Sequence, residues 1–137
     1  MADRLSYRLL RRLGRRGAFL LFLAILDAVY GWSIYTAAVP KRQEVDLLLP
    51  WQAWGVIWYA VGFVCLIAAW FPRDRIAYAT AAALKFGWGA VSGFAWANQP
   101  ALEHNGWLSM IVWFTFGATV LIISGWPEPP RLARTPG

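Results

Sequence analysis

Cysteine and histidine are almost missing from this chain: Cys65 and His104 are single copies in 137 residues. A lone thiol excludes an intrachain disulfide and a cysteine zinc site. Cys65 lies within the apolar run Phe63-Val64-Cys65-Leu66-Ile67, where a buried, inert thiol is expected, because reactive cysteines need electropositive and accessible surroundings. His104 has only Glu103 beside it, a poor metal site, so both read as solvated loop residues. Acidic residues are also scarce, seven against thirteen Lys and Arg. The sequence contains no His/Glu metal cluster, no glycine-rich phosphate loop and no Ser/His/Asp set. The expectation is a protein that is not an enzyme and that holds no cofactor and no metal.

Apolar residues are what the chain has in abundance. They make up 59% of it, charged residues only 15%, and the mean hydropathy is +0.45. A soluble domain of this length has too much surface to hide so much apolar material. Four runs are long enough to cross ~30 Å of hydrocarbon at ~1.5 Å per residue. They cover about 18–39, 51–71, 76–97 and 107–126, with prolines at or near most of their edges (Pro40, Pro50, Pro72, Pro100, Pro127). A proline costs little where a helix begins or ends. None of the runs alternates with period two, so helices fit and barrel strands do not. The expected fold is an all-α integral membrane protein, an up-down bundle of four transmembrane helices occupying residues 18–126. Residues 1–17 form a basic leader and 127–137 a Pro/Arg tail.

Charge outside these runs is lopsided. The leader carries Arg4, Arg8, Arg11, Arg12, Arg15 and Arg16, the second turn Arg73 and Arg75, and the tail Arg131 and Arg134. The opposite side has only Lys41 and Arg42, offset by Glu44 and Asp46. Basic residues concentrate on the cytoplasmic side, so both termini are expected there. The net charge of +6 reads as topology and not as a nucleic-acid surface, because the basic residues flank the apolar runs and form no stripe with interleaved aromatics. Trp51, Trp54, Trp96 and Trp107 fall near the expected outer border and Trp70 and Trp126 near the inner one, as an aromatic belt would. Trp58, Trp88 and Trp113 fall mid-span and read as core. A basic start before an apolar run also describes a signal peptide, but about 20 apolar residues exceed the ~7–15 that such signals use, and Asp27 interrupts them. Leu5, Leu9 and Leu13 lie four apart among arginines, which suits an amphipathic helix on an anionic inner leaflet and equally a disordered basic leader.

Two charges stand inside the runs. Asp27 and Lys85 each sit near mid-span, where a charged side chain costs ~2.5–3.5 kcal/mol on the insertion scale. Each is the tenth residue of its run, and both runs are expected to travel from inside to outside, which places them at equal depth as an ion pair. Their stripes are rich in small residues: Ala24 and Gly31 with Asp27, and Ala81, Gly89, Ser92 and Gly93 with Lys85. Gly31, Gly89 and Gly93 are expected at close helix contacts. In a square bundle the two helices would be diagonal, so contact needs a long lysine reach or an off-square arrangement. The pair reads either as a structural register device or as a point on a proton or ion path, with Tyr30 and Ser92 extending a polar track.

As a whole the pattern resembles small four-span membrane proteins of actinobacteria and their phages, some of them holin-like. The likeness is carried by Arg11-Arg12-Leu13-Gly14-Arg15-Arg16-Gly17, by Arg73-Asp74-Arg75, by Ala-Leu-Lys-Phe-Gly-Trp-Gly from Ala83 to Gly89, and by Ser124-Gly125-Trp126-Pro127-Glu128-Pro129. The resemblance implies a bacterial inner-membrane protein that self-associates and permeabilises the bilayer at lysis. Its expected partners are an anionic inner leaflet and further copies of the chain, and not nucleic acid. A membrane scaffold or accessory subunit, and a small ion or proton channel, are the alternatives.

Overall fold

The computed structural model describes residues 2–36, 49–71, 73–100 and 104–127, with side chains from residue 14 onward. The described residues form four α-helices: α1 (Ala2–Thr36), α2 (Trp51–Ala68), α3 (Arg75–Asn98) and α4 (Gly106–Ser124). Pro50 caps the start of α2, where its missing amide hydrogen leaves no bond unmade.

The backbone of α1 is helical back through the basic leader, so this helix begins well before the apolar run at Ala18. Gly14 separates the two parts with φ 60° and ψ 178°, the one positive φ among the described residues. Only glycine adopts that conformation cheaply, and it kinks the helix between leader and span.

Three segments are long and apolar enough to cross a membrane: Gly14–Thr36, Trp51–Ala68 and Gly106–Ser124. The fourth, α3, matches in length but not in composition, which departs from the expectation of four equivalent spans. The physical reason is position. Eleven residues of α3 are buried, against three of α4. A helix wrapped by its neighbours can afford alanine, glycine, serine and a lysine, because little of it meets the surroundings. The outer helices carry the apolar surface instead, with Phe22, Ile25 and Val29 on α1, Phe63 and Ile67 on α2, and Ile111, Val112 and Ile122 on α4 all exposed. Apolar surface on that scale belongs against lipid and not water.

The helices assemble as two tight hairpins. In the first, α1 lies against α2 through glycines: a Cβ on Gly31 would stand 3.1 Å from the Gly55 carbonyl, and one on Gly62 would stand 3.1 Å from the Ala24 carbonyl. In the second, a Cβ on Gly89 would meet Trp113 at 3.2 Å, and one on Gly106 would meet the Ser92 carbonyl at 3.0 Å. Backbone approach between the hairpins is much sparser, so large side chains fill that seam. Towards one end they are aliphatic, with Leu20, Leu23, Cys65, Ala81 and Val120 around Tyr78. Towards the other they are aromatic, with Trp58 and Trp88 among Tyr30, Trp51, Trp54 and Trp113.

One end of the bundle is latched. Arg16 Nη2 donates to Asp74 Oδ1 at 2.8 Å, Arg16 Nη1 donates to the Trp126 carbonyl at 3.4 Å, and Tyr78 Oη donates to the Arg16 carbonyl at 3.0 Å. The start of the α1 span, the α2–α3 turn and the end of α4 therefore meet, and neighbouring helices run antiparallel.

Candidate functional site

The seam between the hairpins holds the two mid-span charges. Lys85 Nζ donates to Asp27 Oδ1, and both side chains are completely buried. The diagonal problem is solved from both sides. Gly62 of α2 makes room for Asp27, whose Cβ lies 3.2 Å from where a Gly62 Cβ would stand. The lysine supplies the remaining reach along its flexible stem. The ammonium group also lies 4.5 Å from the centre of the Trp58 ring and 5.7 Å from that of Phe116, close enough for cation–π attraction. Asp27 Oδ2 is buried without a hydrogen-bond partner among the described residues.

Above the pair stands an aromatic box. Tyr30 packs 4.4 Å from Trp58 and 5.1 Å from Trp113, and Trp58 lies 5.3 Å from Trp113. Trp88 Nε1 donates to Tyr30 Oη at 3.0 Å, which ties α3 to α1 in addition to Lys85–Asp27 and Tyr78–Arg16. Trp54 and Trp51 close the box against Trp88, with ring centres 5.3 and 6.1 Å away. The indole Nε1 atoms of Trp51, Trp54 and Trp58 are buried and lack partners among the described residues. Three indole donors and one carboxylate oxygen thus remain unpaired in the same half of the seam, a demand that buried water characteristically meets.

The other residues singled out in the sequence lie as follows. Gly31 is spent on α2, and Gly89 and Gly93 on Trp113 and Met110 of α4, so all three serve contacts inside the chain. Ser109 Oγ donates to Ser92 Oγ at 3.3 Å, joining α4 to α3. Trp70, Trp96, Trp107 and Trp126 are exposed at helix ends, whereas Trp51 and Trp54 turn inward and are only partly exposed. Arg15 is exposed and Arg16 is held by Asp74. The side chains of Arg4, Arg8, Arg11 and Arg12, and the residues Lys41, Arg42, Glu44, Asp46, Glu103, Arg131 and Arg134, lie outside the described residues. Cys65 is buried, with its thiol 3.9 Å from the Ala77 carbonyl. No group of metal-ligating side chains occurs among the described residues.

Two features were not anticipated from sequence. One is the Arg16–Asp74 latch, since residues 58 apart give no local signal. The other is Gly62, which was legible: Gly55, Trp58, Gly62 and Cys65 repeat at helical spacing and form the buried stripe of α2.

Chemically, the site is an internal clamp. A carboxylate, an ammonium group and a π-face offset one another in a low-dielectric interior and join two helices whose backbones approach each other sparsely. No protein-family model, curated protein or solved structure matches this chain.

Proposed function

We propose that this chain is a non-enzymatic protein of a bacterial inner membrane, with four spans and both ends in the cytoplasm, and that it acts in a holin-like manner by self-associating and permeabilising the bilayer. The observation that carries the membrane reading is the inversion of polarity: exposed phenylalanine, isoleucine and valine enclose a completely buried Asp27–Lys85 pair. The orientation rests on Arg15, Arg16, Arg73 and Arg75, which cluster where the α1 span starts and α2 hands over to α3.

The holin-like action is supported by the division into two hairpins. Each is closely packed within itself, while the polar ties across the seam among the described residues are the ion pair, the indole–phenol hydrogen bond, the Cys65 thiol on the Ala77 carbonyl and the latch at Arg16. Parting the seam exposes Asp27 and three indole N–H groups on the inner face of the first hairpin and Lys85 on that of the second. Several copies presenting these faces to a common axis would line a wet path through the bilayer. Asp27 and Lys85 act here as the lock of the closed form, and catalysis plays no part.

A second reading, a membrane scaffold or accessory subunit, is favoured by a specific observation: Gly31, Gly89 and Gly93 are already packed within the chain and are not open to a second copy. Induced expression with membrane potential and culture density recorded together separates the two. Sudden lysis in the presence of a co-expressed endolysin, advanced in time by Asp27→Asn, is expected for the first. Steady growth with full potential in both wild type and variant would reject it and leave the scaffold.

A further inference from the structure

A cavity of about 570 Å³ opens at the latched end of the bundle, lined by Arg16, Arg73, Asp74, Arg75 and Ile76. We propose that it is a binding site for the phosphate of one anionic lipid headgroup. The proposal rests on the membrane reading above and adds to it a defined site and the ligand's chemistry.

Three guanidinium groups face one carboxylate here, so the site retains excess positive charge after its internal pairing. Asp74 is consumed: its carboxylate accepts from Arg16 at 2.8 Å and makes no side-chain cap for α3. That loss has a consequence at the helix start. The first-turn amides of α3 lack the cap that an aspartate at this position ordinarily supplies, and their partial positive charge adds to the field of the arginines. Arg73 and Arg75 are exposed and make no ion pair among the described residues. Arg16 Nε is itself buried without a partner. A phosphate diester, with two charge-sharing oxygens and no hydrophobic bulk at the phosphorus, matches forked guanidinium donors at a helix start.

The apolar rim says which phosphate. Ile76 lines the cavity and is 75% exposed, and Phe71 and Trp126, 61% and 55% exposed, stand at the same latched end of the bundle outside its lining. A soluble anion has no use for this rim, whereas a lipid whose phosphate sits among the arginines lays its acyl chains along it. Basic pockets between helices on the cytoplasmic side are where anionic headgroups bind.

The test uses the full chain, purified in detergent after reconstitution into phosphatidylcholine vesicles containing a small fraction of phosphatidylglycerol, with bound lipid counted by native mass spectrometry. One phosphatidylglycerol per chain is expected, with affinity about tenfold weaker in Arg73→Gln and in Arg75→Gln. Arg15→Gln removes the same charge from the same end but does not line the cavity, and is expected to change affinity little. Equal weakening in all three variants would show diffuse attraction and overturn the site. Displacement of the lipid by millimolar inorganic phosphate would overturn the lipid assignment in favour of a soluble anion. Insertion into vesicles with no preference for phosphatidylglycerol rejects the site alone, while failure to insert into vesicles of either composition rejects the membrane reading and the site together.

Discussion

The two kinds of helix contact in this molecule are built from opposite materials. Within each hairpin, glycine removes the side chain so that backbones touch: Gly31, Gly55 and Gly62 between α1 and α2, and Gly89, Gly93 and Gly106 between α3 and α4. Between the hairpins, large aromatic side chains stand in the gap, and Asp27 and Lys85, the only completely buried charges among the described residues, stand with them. In lipid no hydrophobic force separates helix from helix, so packing and polar contact must do the work. Glycine contacts gain dispersion over a continuous surface, and are tolerant of polarity because they contain none. The seam gains its specificity from a few polar atoms, and removing one of them leaves its partner stranded. The two interfaces should therefore fail in different ways.

The largest effect is expected in the seam. Lys85→Met strands the Asp27 carboxylate among Trp58, Cys65 and Gly62, and loss of one partner of a buried pair costs about 3–5 kcal/mol. Unfolding in mixed detergent, followed by tryptophan fluorescence, should show that loss. Combining Asp27→Leu with Lys85→Met should recover most of it, because an apolar pair of similar bulk has no desolvation cost. A double variant as unstable as the single would mean that the two charges are not coupled. Exchanging the residues, Asp27→Lys with Lys85→Asp, should recover less than the apolar pair, since Gly62 leaves room at position 27 for a short side chain only.

Next come the glycine contacts. Gly31→Ala places a Cβ 3.1 Å from the Gly55 carbonyl and from Trp58 Cβ, both fixed by backbone, so α1 and α2 must part. Overpacking of this kind costs about 1–3 kcal/mol. Gly87→Ala is the control, because nothing lies within 4 Å of its Cβ position and it is exposed on α3. There alanine should stabilise by up to about 1 kcal/mol through helix propensity. Equal losses at the two positions would mean that hairpin closeness is unimportant.

A smaller, local effect is expected at Gly14. Its φ of 60° with ψ of 178° lies in a region essentially restricted to glycine, where alanine costs about 1–3 kcal/mol. Gly14→Ala should either straighten the joint between leader and span or fray it, and spin labels at position 10 and at the exposed position 22 would register a changed distance. An unchanged distance would place the bend elsewhere. The hairpins and seam should be indifferent to this substitution.

How much of this was legible follows the same division. The helices and their order follow from apolar runs bounded by proline, which are local properties of the chain. The Asp27–Lys85 contact followed from equal depth along two runs, because a span has a fixed origin at the membrane border. That Gly31, Gly89 and Gly93 lie at close contacts was also readable, but not which helix each would meet. The stripes left the partner helix open, and the fold sets them against α2 and α4. Trp51 and Trp54 were harder still. Their place near an apolar border fits a belt, yet the start of α2 turns them onto Trp88. The rotation of a helix about its own axis is set by what its neighbours present, and in an apolar run such as α2 its record is the helical repeat of Gly55, Trp58, Gly62 and Cys65.

The finest test of the comparison concerns the seam's second polar tie. Trp88 Nε1 donates to Tyr30 Oη at 3.0 Å, and the two rings meet edge to face at 5.9 Å. Trp88→Phe keeps an aromatic ring in the box while deleting the donor. A neutral hydrogen bond contributes about 0.5–1.5 kcal/mol, and the phenol left behind can turn towards other donors nearby. The loss should therefore be the smallest of the series, well below that of Lys85→Met, and Tyr30→Phe should cost a similar amount. The double variant decides what the bond is for. If it acts only between these two side chains, removing both should cost little more than removing either, as expected for residues in one hydrogen bond. Full additivity would instead assign the stabilisation to separate packing of each ring, and the specificity of the seam at mid-span would then rest on the ion pair.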